Sequence, residues 1–198
     1  AFSKNEDSAN NRKIMLSEYD RNKTLDYSKK NVSIKQFVYE DLIHFFESDN
    51  IRSIPSAIDG LKPSHRKVLY CCFKRKLENE IRVAQLAGYV SEHGAYHHGE
   101  ASLQGTIINM AQDFVGSNNI NLLMPNGQFG TRLHGGDDSA SERYIFTQLN
   151  PITRSIFPEL DDNVLNYLND DGTMVEPEYY VPIIPFALMN GISGIGTG

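Results

Sequence analysis

Apolar residues recur at helical spacing in three stretches, and each stretch is framed by polar or turn-forming residues. Phe37, Val38, Leu42, Ile43, Phe45 and Phe46 form a broad stripe, which predicts a helix over residues 37–46. The residues just before it, 32–38, either start a short strand or cap that helix at Ser33. Val68, Leu69, Cys72, Phe73 and Leu77 predict a second helix opening at Pro63 or Ser64, where a proline fits the first turn. Another is predicted over residues 82–90. Leu103, Ile107, Met110, Ala111 and Phe114 predict a further helix starting after His98-Gly99. Between these lie residues 53–63, a loop with an Asp59-Gly60 turn signal. Residues 144–147 are rich in strand formers, and residues 180–185 predict an edge strand interrupted by prolines. The order is basic helix, short helix, longer helix, then hairpin material. That order predicts an α+β, mostly helical fold with a helix-turn-helix and a β-wing.

Composition changes the picture only at the ends. Residues 1–34 have few apolar positions in register and read as a linker or the tail of an upstream domain. The last nine residues are a glycine-rich loop holding Ile192 and Ile195, and the chain reads as part of something larger. No apolar run approaches the roughly 20 residues of a membrane span, and the polar start lacks a signal-peptide core. Cys71 and Cys72 are adjacent, so they cannot form an ordinary disulfide without strain and read as small core residues.

The net charge of −6 argues against a polyanion partner, but its distribution does not. Residues 52–83 carry eight Lys/Arg against three acids, while residues 159–180 carry seven acids and no Lys or Arg. A local basic patch, not the net charge, sets phosphate affinity.

Three constellations carry candidate chemistry. Arg143-Tyr144 sets a permanent cation beside a possible oxygen nucleophile, although on an extended segment the two side chains would face opposite ways unless a turn re-aimed one. His97-His98-Gly99-Glu100 stands where a helix should begin, and two imidazoles beside free helix N–H groups suit an anion. The equal alternative there is a pair of capping and packing histidines. The loop 129–138 lacks P-loop spacing, so nucleotide binding is rejected, and its glycines would let backbone approach a bulky partner such as duplex DNA. Asp161-Asp162 and Asp170-Asp171 read as solvated turns rather than a metal cluster.

Several runs together resemble a known family. Ser53-Ile54-Pro55, residues 59–63, residues 96–100, residues 126–132, Arg143-Tyr144 and residues 194–198 come in the order seen in type IIA DNA topoisomerases. Residues 114–119 and 181–185 look like the eukaryotic topoisomerase II branch, and the match covers residues 33–198. The resemblance implies that Tyr144 attacks a DNA phosphodiester and holds the 5′ phosphate, with Arg143 stabilising the transition state. It implies that Arg52, Lys62, His97 and His98 surround the scissile phosphate. Lys62, Arg66, Tyr96, Ser102 and Arg132 become DNA-contacting positions, and Ile195 the side chain that intercalates and bends the duplex. It further implies a winged-helix domain over residues 35–160, the start of an α/β tower domain over residues 161–198, Mg²⁺ and ATP held by other domains, a homodimer and a nuclear location. Two positions depart from the pattern: Glu142 stands where many relatives are neutral, and Asp137 where a lysine is common. A non-catalytic DNA-binding module and a purely structural or dimerisation module remain as competing readings.

Overall fold

The computed structural model describes residues 7–198, which divide into two compact units. One comprises the described residues up to Ile54 together with Gly194–Gly198, and the other is Pro55–Ser193. The expected domain bounds at residues 34 and 160 do not coincide with this division.

In the first unit, the segment expected to be a linker carries a helix, α1 (Ser8–Ser17). Its buried residues are Ser8 and Met15, and Leu16 packs beside them. Met15 has no exposed surface and packs with Val38, Ile43 and Phe46. One buried methionine leaves no 3.6-residue periodicity to detect, so tertiary packing, not pattern, makes this helix visible. The alternative at Ser33 resolves to a cap: its Oγ accepts from the Gln36 N–H at 3.1 Å and opens α2 (Ile34–Phe37). Helical backbone then continues through a π-turn (Val38–Leu42) into α3 (Ile43–Ser53). The wider turn rotates the apolar register. Phe46 is therefore buried, whereas Phe37 and Phe45, placed on the same stripe by a uniform helical reading, are exposed.

The second unit is built on three helices, α4 (Pro63–Arg75), α5 (Val83–His93) and α6 (Glu100–Ala111), which pack against one another. Pro63 occupies the first turn of α4, and Lys76 ends it in the left-handed conformation with φ 50°. The core runs through Val68, Leu69, Leu86, Val90, Leu103 and Ile107, all fully buried. Cys71 and Cys72 are free thiols inside it, as expected of small apolar residues. Strands β1 (Ile81–Arg82) and β2 (Phe146–Thr147) pair antiparallel, with Ile81 opposite Thr147 and Arg82 opposite Phe146.

The remaining elements are α7 (Thr153–Ile156), β3 (Tyr167–Asp170), β4 (Thr173–Pro177) and α8 (Phe186–Asn190). β3 and β4 form a hairpin with Asp170 opposite Thr173. Its two-residue turn, Asp171-Gly172, has φ of 48° and 85°, the paired positive angles of a type I′ turn. The hairpin is fastened to α4 by Lys67 Nζ on Glu176 at 2.8 Å and by the Tyr70 hydroxyl donating to the Met174 carbonyl at 3.1 Å.

The strand expected over residues 180–185 is absent. Pro182 and Pro185 have no N–H to offer a ladder. The segment is held instead by Tyr180 N–H on Asp59, Ile183 N–H on the Ile156 carbonyl, and the Tyr180 ring edge-on to Phe73 and Phe157. The acidic pairs are also less solvated than expected. Asp162 binds Arg154 at 2.9 Å, and Asp170 binds His97 at 2.9 Å. The fold class, α+β and mostly helical, is as expected. Among the described residues no helix is long and apolar enough to cross a membrane.

Candidate functional site

Arg143-Tyr144 does not lie on an extended segment. The Tyr144 N–H bonds the Ser141 carbonyl at 2.9 Å, closing a turn immediately before β2. The turn folds the Arg143 guanidinium to 5.8 Å from the Tyr144 ring centroid, so cation and phenol share one side. Tyr144 is 72% exposed, while the next residue, Ile145, is buried in the core. The turn is strapped down by the start of α5. Arg82 provides no side-chain cap there, and the free Val83 and Ala84 N–H groups donate instead to the Ile145 and Glu142 carbonyls, each at 3.1 Å. The Glu142 carboxylate accepts from the Ser141 hydroxyl at 3.2 Å, and Arg143 has no carboxylate within ion-pair distance among the described residues.

The loop 129–138 is a closed structure rather than an open cradle. Thr131 gives both its N–H and its hydroxyl to the Asp138 carboxylate, at 2.7 and 2.8 Å, and these bonds hold that carboxyl below the usual carboxylate range. The Gln112 amide, buried at the end of α6, donates to the Phe129 carbonyl at 2.8 Å. A Cβ on Gly130 (φ 99°) would meet the Gly136 carbonyl oxygen at 2.5 Å, and one on Gly136 (φ 92°) would meet the Gln112 amide nitrogen at 2.4 Å. Gly130 and Gly136 thus serve the loop's own close packing, whereas a Cβ on Gly135 would meet nothing within 4 Å. What the loop presents outward is its 3₁₀ tip, Arg132–His134, all three residues exposed. Asp137 is exposed beside that tip.

At the start of α6, Gly99 is the N-cap and His97 and His98 are exposed. His97 Nε2 lies 2.9 Å from the Asp170 carboxylate on the β3–β4 turn. His98 stands edge-on to the Tyr96 ring at 5.4 Å. Tyr96 itself is a core residue, 8% exposed, and its hydroxyl donates to Ser102 Oγ at 3.3 Å. The Tyr96 ring thus lies in the core beneath the exposed Ser102.

Lys62 is the N-cap of α4, partly buried and without an ion pair among the described residues. Its N–H donates to Nδ1 of His65 at 3.3 Å. Burial, then the Lys62 and Arg66 charges, push His65 down to about 4, so the ring is neutral and free to accept. Arg66 is mostly buried. It is 7% exposed and donates Nε to Asp59 at 2.7 Å and Nη2 to the Leu61 carbonyl at 2.8 Å. A buried guanidinium must be paired, and Asp59 and the Leu61 carbonyl take its Nε and Nη2 donors. Asp59, in sequence a turn residue, is fully buried and also accepts from the Leu61 and Tyr180 N–H groups at 2.9 Å. Within the first unit, Arg52 is exposed and pairs with Asp49 at 3.2 Å, and Ile195 is 89% exposed, as a wedge requires.

The candidates thus occupy one turn, one loop tip and two helix starts of the second unit, and two positions of the first. Tyr144 and Arg143 are brought together. No described side chain hydrogen-bonds the Tyr144 hydroxyl. Among the described residues no three His, Cys, Asp or Glu side chains cluster as metal ligands.

Comparison with known proteins agrees with the resemblance. The family model for the A subunits of DNA gyrase/topoisomerase IV matches residues 52–198. The chain is 55% identical over 198 residues to the mitochondrial DNA topoisomerase 2 of Dictyostelium discoideum, covering all of this chain and 15% of that protein. It is 62% identical over 169 residues to DNA topoisomerase 2-beta of Gallus gallus, covering 85% of this chain and 10% of that one. The solved DNA-binding, cleavage and re-ligation domain of Plasmodium falciparum topoisomerase II superposes with a TM-score of 0.84 at 56% identity, over 95% of this chain and 26% of that chain. The chain therefore spans a small part of the relatives it matches. With three quarters of its length covered by one family model and its motifs in family order, the chain belongs to the DNA gyrase/topoisomerase IV A-type family, and its relatives there include the eukaryotic DNA topoisomerase 2 proteins.

Proposed function

We propose that this chain is the tyrosine-bearing part of a type II DNA topoisomerase that breaks and rejoins duplex DNA by transesterification. The observation that carries this reading is the exposed Tyr144 with Arg143 folded onto its side by the 141–144 turn. In the forward step the Tyr144 oxygen attacks phosphorus. A tyrosyl O–P bond forms, the bond to the 3′ oxygen breaks, and the phenolic proton is lost as the 3′ hydroxyl gains one. Reversal restores the DNA backbone with no net change of charge. Phosphoryl transfer needs in-line positioning and neutralisation of the equatorial oxygens. Arg143 is unpaired and placed for that role; Lys62, His97, His98, Arg132 and Arg52 are the further phosphate contacts in this reading. Ile195 wedges between base steps, which costs a few kcal/mol of unstacking and gives a bend. The three-helix core with β1 and β2 corresponds to a winged helix over residues 35–160, and the hairpin region to the start of a tower domain.

In this reading Mg²⁺ is held by another part of the enzyme, and no step above is routed through it. ATP binding, the homodimer, strand passage of a second duplex and a nuclear location belong to the whole enzyme in this proposal. A named relative is mitochondrial, so imaging of the tagged full-length protein decides the compartment. The test of the chemistry is Tyr144→Phe in the intact enzyme. Denaturant-resistant protein–DNA adducts should disappear while DNA affinity stays within about twofold, since an exposed hydroxyl contributes little to backbone binding. Persisting adducts would assign the nucleophile elsewhere. A non-catalytic DNA-binding module would show salt-dependent binding and no adduct in the wild type either.

A further inference from the structure

The His97–Asp170 contact is not absorbed by the reading above. His97 is a candidate phosphate contact, yet its Nε2 already faces a carboxylate oxygen at 2.9 Å. An ionised carboxylate only accepts, so this nitrogen is the donor and its N–H points at Asp170. A neutral imidazole has only this one N–H, and in that form a phosphate oxygen would need the same donor. The two partners differ in freedom. Asp170 sits at the end of β3, set by the type I′ turn, and the hairpin is fastened to α4 through Lys67–Glu176, a pair with side chains 16% and 4% exposed. The His97 side chain is 75% exposed and stands in the polar run before α6. The His97 side chain is the more exposed partner, 75% against 34% for Asp170, whose backbone is set by the hairpin.

We infer that Asp170 is a built-in phosphate surrogate: it holds the His97 imidazole in the DNA-free protein and is exchanged for a DNA phosphate on binding, so that it weakens DNA affinity while keeping His97 parked. The inference rests on the reading of His97 as a phosphate contact. The charge on Asp171 is one residue away but lies in the turn at φ 48° with no hydrogen bond to His97, which provides an internal control.

The experiment is a double-mutant cycle in the full-length enzyme, measuring duplex affinity over a salt series for wild type, Asp170→Asn, His97→Gln and the double variant, with Asp171→Asn alongside. Asn is tolerated in the left-handed region, so the control keeps its backbone. An exposed pair of this kind is small, so Asp170→Asn should tighten binding by about two- to fivefold. The same change in the His97→Gln background should do nothing, and Asp171→Asn should have at most a small effect. Equal tightening in both backgrounds, or by both aspartate variants, would reduce Asp170 to general repulsion of DNA and overturn the inference. If His97→Gln alone left affinity and adduct formation unchanged, the assignment of His97 to phosphate would fail first.

Discussion

Truncating Asp59 to alanine tests whether the buried Asp59–Arg66 pair organises the entry to α4. The carboxylate has no exposed surface and receives Arg66 Nε at 2.7 Å, the Leu61 N–H at 2.9 Å and the Tyr180 N–H at 2.9 Å. Alanine would leave a guanidinium only 7% exposed with the Leu61 carbonyl as its remaining partner, and two backbone N–H groups orphaned. Breaking one side of a buried pair costs about 3–5 kcal/mol, much of it from the charge left behind. That is a large share of the roughly 5–15 kcal/mol that holds a domain folded. Leu61 and Tyr180 bond different carboxylate oxygens, so Asp59→Asn keeps an acceptor for only one of the two N–H groups, sets an amide NH₂ against the other, and should also be destabilising. Replacing both partners, Asp59→Leu with Arg66→Met, removes the stranded charge and should cost well below the sum of the single changes. The assay is urea unfolding with native-state hydrogen exchange at the Tyr180 and Leu61 amides. An Asp59→Ala cost below about 1 kcal/mol, or strictly additive single and double changes, would refute the reasoning.

Other outcomes follow from the same geometry. His65 is pushed down from 6.5 to about 4, so between those values the unfolded chain binds a proton that the folded chain does not. Stability should be full above pH 6.5 and decline toward pH 4, by at most about 3 kcal/mol, and His65→Gln should flatten that limb in pH-dependent unfolding. Burial pushes the Cys71 thiol up to about 12 and Cys72 higher still, so both should resist maleimide at pH 8 until the protein unfolds. Gly130→Ala should open the 129–138 loop, because a Cβ there lies 2.5 Å from a carbonyl oxygen; proteolysis should increase near Arg132 while α4 keeps its exchange protection. Arg143→Ala should lower the cleavage rate by about 10²–10³ while weakening DNA affinity only a few-fold, and equal losses in both would remove its transition-state role.

The helices of the second unit are legible in the sequence because α4, α5 and α6 each bury one face, and Pro63 and Gly99 mark two of their starts. The site is legible in part. Arg143-Tyr144 and His97-His98 are visible as residues, but the turn that joins the first pair and the carboxylate that holds His97 come from residues close in one case and 73 apart in the other. Arg66 misleads because its basic charge says nothing about burial, and Asp59 because a turn signal hides a side chain that points inward. Helix α1 escapes the pattern because Met15 is its one fully buried apolar side chain.

By itself the sequence determined the family, the helical core and the residues able to do the chemistry, since motif order, apolar period and side-chain type are local properties of the chain. Only the tertiary structure decided which charges are spent. Burial cannot leave an ion unpaired, so Arg66 is consumed by Asp59 and His65 is kept neutral. Arg143 and Arg132 are left exposed and Lys62 partly buried, all without an ion pair among the described residues, and a hairpin folded back from residue 170 lays a carboxylate against His97. Pairing across such distances depends on how elements pack, which no run of neighbouring residues encodes.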